Sequence, residues 1–155
     1  MNSSLKKIRS IADYQFGKKA GITLFPEETE ILFSRTTGRI RFVKLNGIRL
    51  ATLRPTDGLF SISIHAGILL AKKRKMFRCF VNIQNDVTEP ITLGGDVFAV
   101  HVVKADEEIR AQTEVIILDE NNQVLAVGRA LLSGPEMMAF KVGVAVKIRH
   151  GRKES

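Results

Sequence analysis

The chain has 155 residues, 45% of them hydrophobic, with a formal net charge of +8 and a pI of about 9.9. That length fits one ordinary domain or two small ones, and the apolar content is enough for a packed core, which excludes wholesale disorder. No apolar run is long enough to cross a bilayer, no apolar stretch follows the charged Met1 to Arg9 segment, and Cys79 is alone. The sequence therefore predicts no membrane span, no signal peptide, no internal disulfide and a cytoplasmic protein.

The charge is unevenly spread. Residues 1–80 hold 16 Lys and Arg against 5 Asp and Glu, net +11, while residues 81–155 hold 8 against 11, net −3. Such a split points to two modules, with a polyanion-facing role concentrated in the first.

In chain order, Ser3 and Ser4 are candidate N-caps for a helix whose apolar positions Leu5, Ile8, Ile11, Ala12 and Phe16 recur at helical spacing until Gly17. Lys6, Lys7 and Arg9 fall on its wet side. A short second helix is expected over 18–25, ending before Pro26. From Glu30 the period becomes two. Arg39, Arg41 and Lys44 interleave with apolar residues, and Asn46-Gly47 supplies a strong hairpin signal because both turn positions favour positive φ. Pro55-Thr56-Asp57-Gly58 reads as a second turn, with Asp57 in an Asx-type role. A strand over 59–64, a helix over 65–71 and the basic run Lys72-Lys73-Arg74-Lys75 complete a module of residues 1–75.

The remainder reads as β-rich. Strands are expected over 77–81, 96–103, 114–118, 123–132 and 142–149, with a short helix over 82–89 ending before Pro90 and another turn of helix after Ser133. Many short strands at close spacing favour a small barrel or sandwich. The whole is predicted to be α+β: a small N-terminal α/β module, a C-terminal β pseudo-barrel over 76–152, and a tail over 153–155.

Several residues now carry a resemblance. Gly94-Gly95-Asp96-Val97-Phe98-Ala99, an acidic spacer, Leu125 to Ala130, Ser133 to Met138 and Gly143 to Val146 together resemble the PUA domain of pseudouridine synthases and archaeosine transglycosylases. Ala12 to Gly17, Thr37 to Arg41 and Arg54 to Phe60 resemble the module that precedes the PUA domain in archaeosine tRNA-guanine transglycosylases. One departure is visible: Thr113-Glu114 stands where PUA domains usually carry Gly-Asp, which implies a local change of turn.

The resemblance implies binding of structured RNA, with tRNA first among the candidates. It implies that residues 93–98 and 144–149 contact a stem and a single-stranded end. Candidate RNA-binding residues there are Gly94, Gly95, Asp96, Phe98, Arg129, Lys147 and Arg149. Gly94 and Gly95 read either as a plain tight turn or as a place where backbone amides remain accessible to a phosphate. Gly128, inside an apolar strand, reads as a bulge or a close backbone approach. Lys147 and Arg149 alternate with apolar neighbours and are expected on one face.

In the first module the candidates are Arg39, Arg41 and Arg49 on the hairpin and Lys72, Lys73, Arg74 and Lys75 after it, with Lys6, Lys7, Lys18, Lys19 and Arg54 around them. Arg39 and Arg41, two apart, are expected to share a face that Arg49 extends. An ordinary solvated face is the competing reading for each lysine. Phe33, Phe42, Phe60, Phe77, Phe80, Phe98 and Phe140 are expected to be mostly core.

Catalytic chemistry is not legible. His65, His101 and His150 are scattered without zinc-ligand spacing, no nucleophile elbow or Walker-type loop occurs, and Asp106, Glu107 and Glu108 read as a solvated loop. The sequence thus predicts a protein without metal, cofactor or active site. Two partners are considered: a separate catalytic subunit of a tRNA-modifying enzyme, or the ribosome if the chain is a biogenesis or translation factor. An unrecognised enzyme is the third reading, which the missing constellations disfavour.

Overall fold

A computed structural model describes residues 2–154; Met1, and Ser155 of the expected tail, lie outside the described residues. The chain divides into two compact units, one ending at Phe77 and the other starting at Arg78.

The first unit opens with α1 (Ser3–Phe16). Its N-cap is Asn2 and not Ser3 or Ser4: the Asn2 carboxamide oxygen accepts the Ser4 N–H at 2.7 Å, one residue earlier than the serines suggest. Gly17, at φ 118°, ends the helix. Then come α2 (Ala20–Leu24) and an antiparallel sheet of β1 (Glu30–Phe33), β2 (Ile40–Leu45), β3 (Ile48–Leu53) and β4 (Phe60–Ile62) in the order β1-β2-β3-β4. The unit closes with α3 (Ile64–Ala71), capped by the Ser63 hydroxyl.

Ile8, Ala12 and Phe16 of α1 are wholly buried, as are Phe25 and Phe60, whose ring centroids lie 5.5 Å apart. Gln15 is the polar exception. Its side chain donates to the Phe60 carbonyl and accepts the Phe60 N–H, both at 2.8 Å, so a helix side chain serves as the missing ladder partner of β4. This satisfies two backbone groups that burial would otherwise leave unpaired.

The second unit is a six-stranded sheet wrapped into a nearly closed barrel. It comprises β5 (Phe80–Ile83), β6 (Val97–Phe98), β7 (Val102–Ala105), β8 (Glu114–Leu118), β9 (Val124–Ala130) and β10 (Val144–Gly151), in the order β6-β10-β9-β8-β5-β7. Only β5 and β8 pair in parallel. Helix α4 (Thr88–Thr92) lies between β5 and β6, and α5 (Gly134–Ala139) begins with a capping box between Ser133 and Glu136. Val81, Ile117, Ala126 and Val146 lie in the core cluster of this unit. The whole is α+β, as the pattern of elements predicts.

Three local expectations are corrected. The helix expected to stop before Pro90 runs through it, because Pro90 falls in the first turn of α4, where its missing N–H has no helical acceptor to lose. The strand expected over 96–103 is broken: β6 and β7 are separated by a 3₁₀ turn at Ala99–His101. The strand expected from Phe77 begins at Phe80, after Cys79 takes the left-handed conformation at φ 81°. Of the phenylalanines expected inside, Phe60, Phe77 and Phe80 are buried, but Phe33, Phe98 and Phe140 are exposed and Phe42 is half-buried.

Candidate nucleic-acid interface

In the first unit the β2–β3 hairpin turns at Asn46 (φ 52°) and Gly47 (φ 79°), the pairing of positive φ values that a two-residue hairpin loop needs. Two bulges shape it. Leu32 pairs with Phe42 and Phe33 with Ile40, so Arg41 is the extra residue on β2. Val43 pairs with Ala51 and Lys44 with Arg49, so Leu50 is the extra residue on β3. Val43, Leu50 and Ala51 are buried, while Phe42, Lys44, Arg49 and Thr52 share the other face.

A strict two-residue alternation between Arg39 and Arg41 therefore does not hold, because a bulge re-aims the side chain it carries. The Arg41 guanidinium carbon lies 4.8 Å from the Phe42 ring centroid, and that of Arg49 lies 4.0 Å from the same centroid. Phe42, read from sequence as core, is instead the post around which two arginines gather. Each such contact contributes about 0.5–1 kcal/mol at an exposed site.

Among the described residues Arg39, Arg41 and Arg49 form no ion pair. Arg54 does: it meets Asp57 at 3.0 Å, while Asp57 also accepts the Leu59 N–H as an Asx-turn residue. A groove of about 800 Å³ opens beside the hairpin. Among the described residues, its charged lining consists of Lys7, Arg39, Arg41 and Arg54. Ser34, Thr36, Thr37 and Thr52 add hydroxyl-bearing side chains, and Phe42 and Leu53 add apolar surface. The basic run after α3 lies in turns, with Lys72, Lys73 and Lys75 exposed and Arg74 half-buried and engaged in an interaction of its own.

In the second unit the glycine pair is a tight turn. The Gly94 N–H donates to the Ile91 carbonyl at 3.0 Å and the Gly95 N–H to the Pro90 carbonyl at 2.9 Å. The amides expected to remain accessible are thus consumed at the end of α4. A Cβ at Gly95 would lie 2.9 Å from the Pro90 oxygen, and one at Gly94, at φ 100°, would lie 2.8 Å from the Glu154 carboxylate. Gly128 is a close backbone approach: a side chain there would meet the Lys147 carbonyl on β10.

Asp96 accepts the Ile148 N–H at 3.0 Å, which ties the loop to β10, and its other oxygen lies 3.9 Å from the Lys147 ammonium. Glu114, Arg129 and Lys147 are in register across β8, β9 and β10. Arg129 is exposed and forms no ion pair among the described residues.

Arg149 departs from expectation. It is the extra residue of a bulge between Ile148 and His150, and its guanidinium grips the Glu114 carboxylate with both nitrogens, Nη1 to Oε1 at 2.9 Å and Nη2 to Oε2 closer still. The Glu114 side chain is 0% exposed. Arg149 is therefore the counter-ion of a buried acid before it is anything else. The Thr113-Glu114 departure was the signal: the positive-φ residue of that turn is Gln112 (φ 79°), and the longer carboxylate of Glu114 takes Arg149 as its partner. Phe98 sits on the edge strand β6, 48% exposed, with its ring edge-on to His101 at 6.3 Å.

The sequence of the patch-forming domain C2 of tRNA-guanine transglycosylase matches residues 6–75, and that of the PUA domain matches residues 80–152. The tRNA-guanine(15) transglycosylase of Thermoplasma volcanium is 41% identical over 152 residues, which are 97% of this chain and 24% of that enzyme. That of Pyrococcus furiosus is 45% identical over 150 residues, 95% of this chain and 25% of that enzyme. The chain thus spans about a quarter of the length of the curated relatives it matches. A hypothetical protein of Pyrococcus horikoshii superposes with a TM-score of 0.78 at 25% identity, covering 97% of this chain and 91% of its own. A PUA-domain protein of Thermoplasma acidophilum shares the fold, with a TM-score of 0.68 at 23% identity over 97% of this chain and 92% of its own. The chain is accordingly a PUA-domain protein, a patch-forming C2 domain followed by a PUA domain, and it resembles the C-terminal modules of archaeosine tRNA-guanine transglycosylase.

Proposed function

We propose that the chain is a non-catalytic RNA-binding protein that recognises structured tRNA, alone or as the RNA-holding partner of a separate tRNA-modifying catalytic subunit. The observation that carries this reading is the set Arg39, Arg41 and Arg49: three guanidiniums without carboxylate partners among the described residues, two of them braced on Phe42, on a ribbon that a tight turn and two bulges hold in shape. Cations that are already positioned and unpaired bind phosphates without first breaking an internal bond.

On the PUA domain, Arg129, Lys147 and the exposed ring of Phe98 form the accompanying surface, while Gly94, Gly95, Asp96 and Arg149 shape it from beneath. The run Lys72 to Lys75 adds long-range attraction. A-form RNA presents phosphates and 2′-hydroxyls and hides its major-groove edges, so selection is by shape. The C2 and PUA domains are taken to be residues 1–75 and 76–152, and the site of action the cytoplasm; among the described residues no helix is long and apolar enough to cross a membrane.

The test is filter binding in moderate potassium chloride with folded tRNA, duplex DNA and heparin as competitors. Clear preference for the folded transcript supports the reading, and equal competition by all three polyanions overturns it. Affinity capture from cells separates the partners: a modifying enzyme fits this proposal, whereas ribosomal subunits would assign the chain to translation or ribosome assembly.

A further inference from the structure

The groove beside the hairpin is shaped for more than a passing phosphate. We propose that it holds one unpaired nucleotide of the bound RNA, an inference that rests on the RNA-binding reading above and narrows it to a ligand class. The charged residues that line it, Lys7, Arg39, Arg41 and Arg54, are all cationic, and among the described residues no carboxylate lines it. Arg54 is held by Asp57 at 3.0 Å, which leaves Lys7, Arg39 and Arg41 for the phosphate.

The backbone of a duplex rides over a surface and would leave a concavity of about 800 Å³ unfilled. That volume is in the range of clefts that enclose a small ligand. Its walls suit a base. Leu53 and the Phe42 ring are apolar, and the Arg41 guanidinium, 4.8 Å from that ring, offers a flat cationic face on which an unstacked base can lie. The hydroxyl-bearing side chains at 34, 36, 37 and 52 supply donors and acceptors for a base edge or a ribose.

The experiment uses the full chain, ¹⁵N-labelled, and three probes: a fully paired RNA hairpin, the same hairpin with one bulged uridine, and uridine 5′-monophosphate. The bulged hairpin is expected to bind about fivefold or more tighter than the paired one, and to shift amides at Thr36, Thr37, Thr52 and Gly58 that the paired one leaves in place. Thr52→Phe fills the groove from the sheet and Thr36→Trp fills it from an exposed loop. The ratio of the two affinities should fall to about one in both variants, and the second serves if the first does not fold.

Equal binding of both hairpins with no shift in the groove overturns the inference and leaves the RNA-binding reading standing. A preference that survives in the folded variants also overturns it, since the nucleotide is then held elsewhere. If neither hairpin binds, the underlying reading fails and the monophosphate decides: shifts confined to the groove support a nucleotide site, and their absence at millimolar ligand removes it.

Discussion

The two units use arginine in opposite ways. Through Phe77 the chain holds 15 Lys and Arg against 5 Asp and Glu, net +10, and from Arg78 onward 9 against 11, net −2. In the first unit Arg49 rests on an aromatic ring and, among the described residues, meets no carboxylate; in the second Arg149 is clamped to Glu114, a carboxylate with no exposure at all. Arg49 lies next to a bulge and Arg149 is the extra residue of one, and both read from sequence as alternating cations on a polar face. What separates them is the residue within reach. A strand arginine stays on the open face when its neighbour is a ring and is drawn inward when its neighbour is a buried acid.

The sharpest test of the closed side of this comparison is Cys79. Burial pushes its thiol up from 9.0 to about 12, with the neighbouring Arg78 opposing in part. At pH 8 the thiolate fraction should be about 10³-fold below that of the unfolded chain, so a disulfide reagent should modify native protein far more slowly than protein in denaturant. Comparable rates would mean that the start of the second unit opens freely. The linkage runs in one direction: the folded state holds the proton more tightly, so this contribution to stability is complete below pH 9 and is lost as pH rises toward 12.

Next in size is Arg149→Met, which removes the guanidinium that grips the buried Glu114 carboxylate. A loss of about 3 kcal/mol or more in urea unfolding is expected, with most of it recovered in the double variant Glu114→Gln, Arg149→Met. Arg49→Ala in the other unit should change stability by no more than about 0.5–1 kcal/mol, the worth of an exposed ring contact. If the two substitutions cost the same, the contrast between the arginines is wrong.

The open side is tested by replacing Arg39, Arg41 and Arg49 with Ala together. RNA affinity should fall, and the slope of log affinity against log salt should flatten by about 3, near one for each cation removed, while stability drops by no more than about 1–2 kcal/mol from the two lost ring contacts. An unchanged slope removes the hairpin from the interface.

Much of this was legible in the chain. Asn46-Gly47 announced its hairpin because few residues tolerate two positive φ values in succession, and the +11 to −3 charge asymmetry pointed to two modules. The bulges were not legible. A two-residue period carries no mark of an inserted residue, so it puts Arg41 and Arg149 on the faces that a regular ladder gives them. The consumed amides of Gly94 and Gly95 were hidden for a related reason: the sequence shows that side chains are missing, and only the fold shows that the Pro90 and Ile91 carbonyls have moved in. Residue type alone puts Phe42 in the core, since nothing local reports that two guanidiniums from different strands converge on its ring.

The smallest expected effect separates surface from scaffold within the PUA domain. Lys147 is well exposed and only loosely associated with Asp96, at 3.9 Å, whereas Asp96 itself is committed to the Ile148 N–H. Lys147→Ala should therefore flatten the salt slope by about 1 and leave stability within about 0.5 kcal/mol of the parent, because an exposed ion pair at that distance contributes little. Asp96→Ala should do the reverse, leaving the slope in place while costing about 1–2 kcal/mol through the unsatisfied β10 amide. A slope change with Asp96→Ala larger than that with Lys147→Ala would show that the carboxylate, and not the ammonium, organises the contact with RNA.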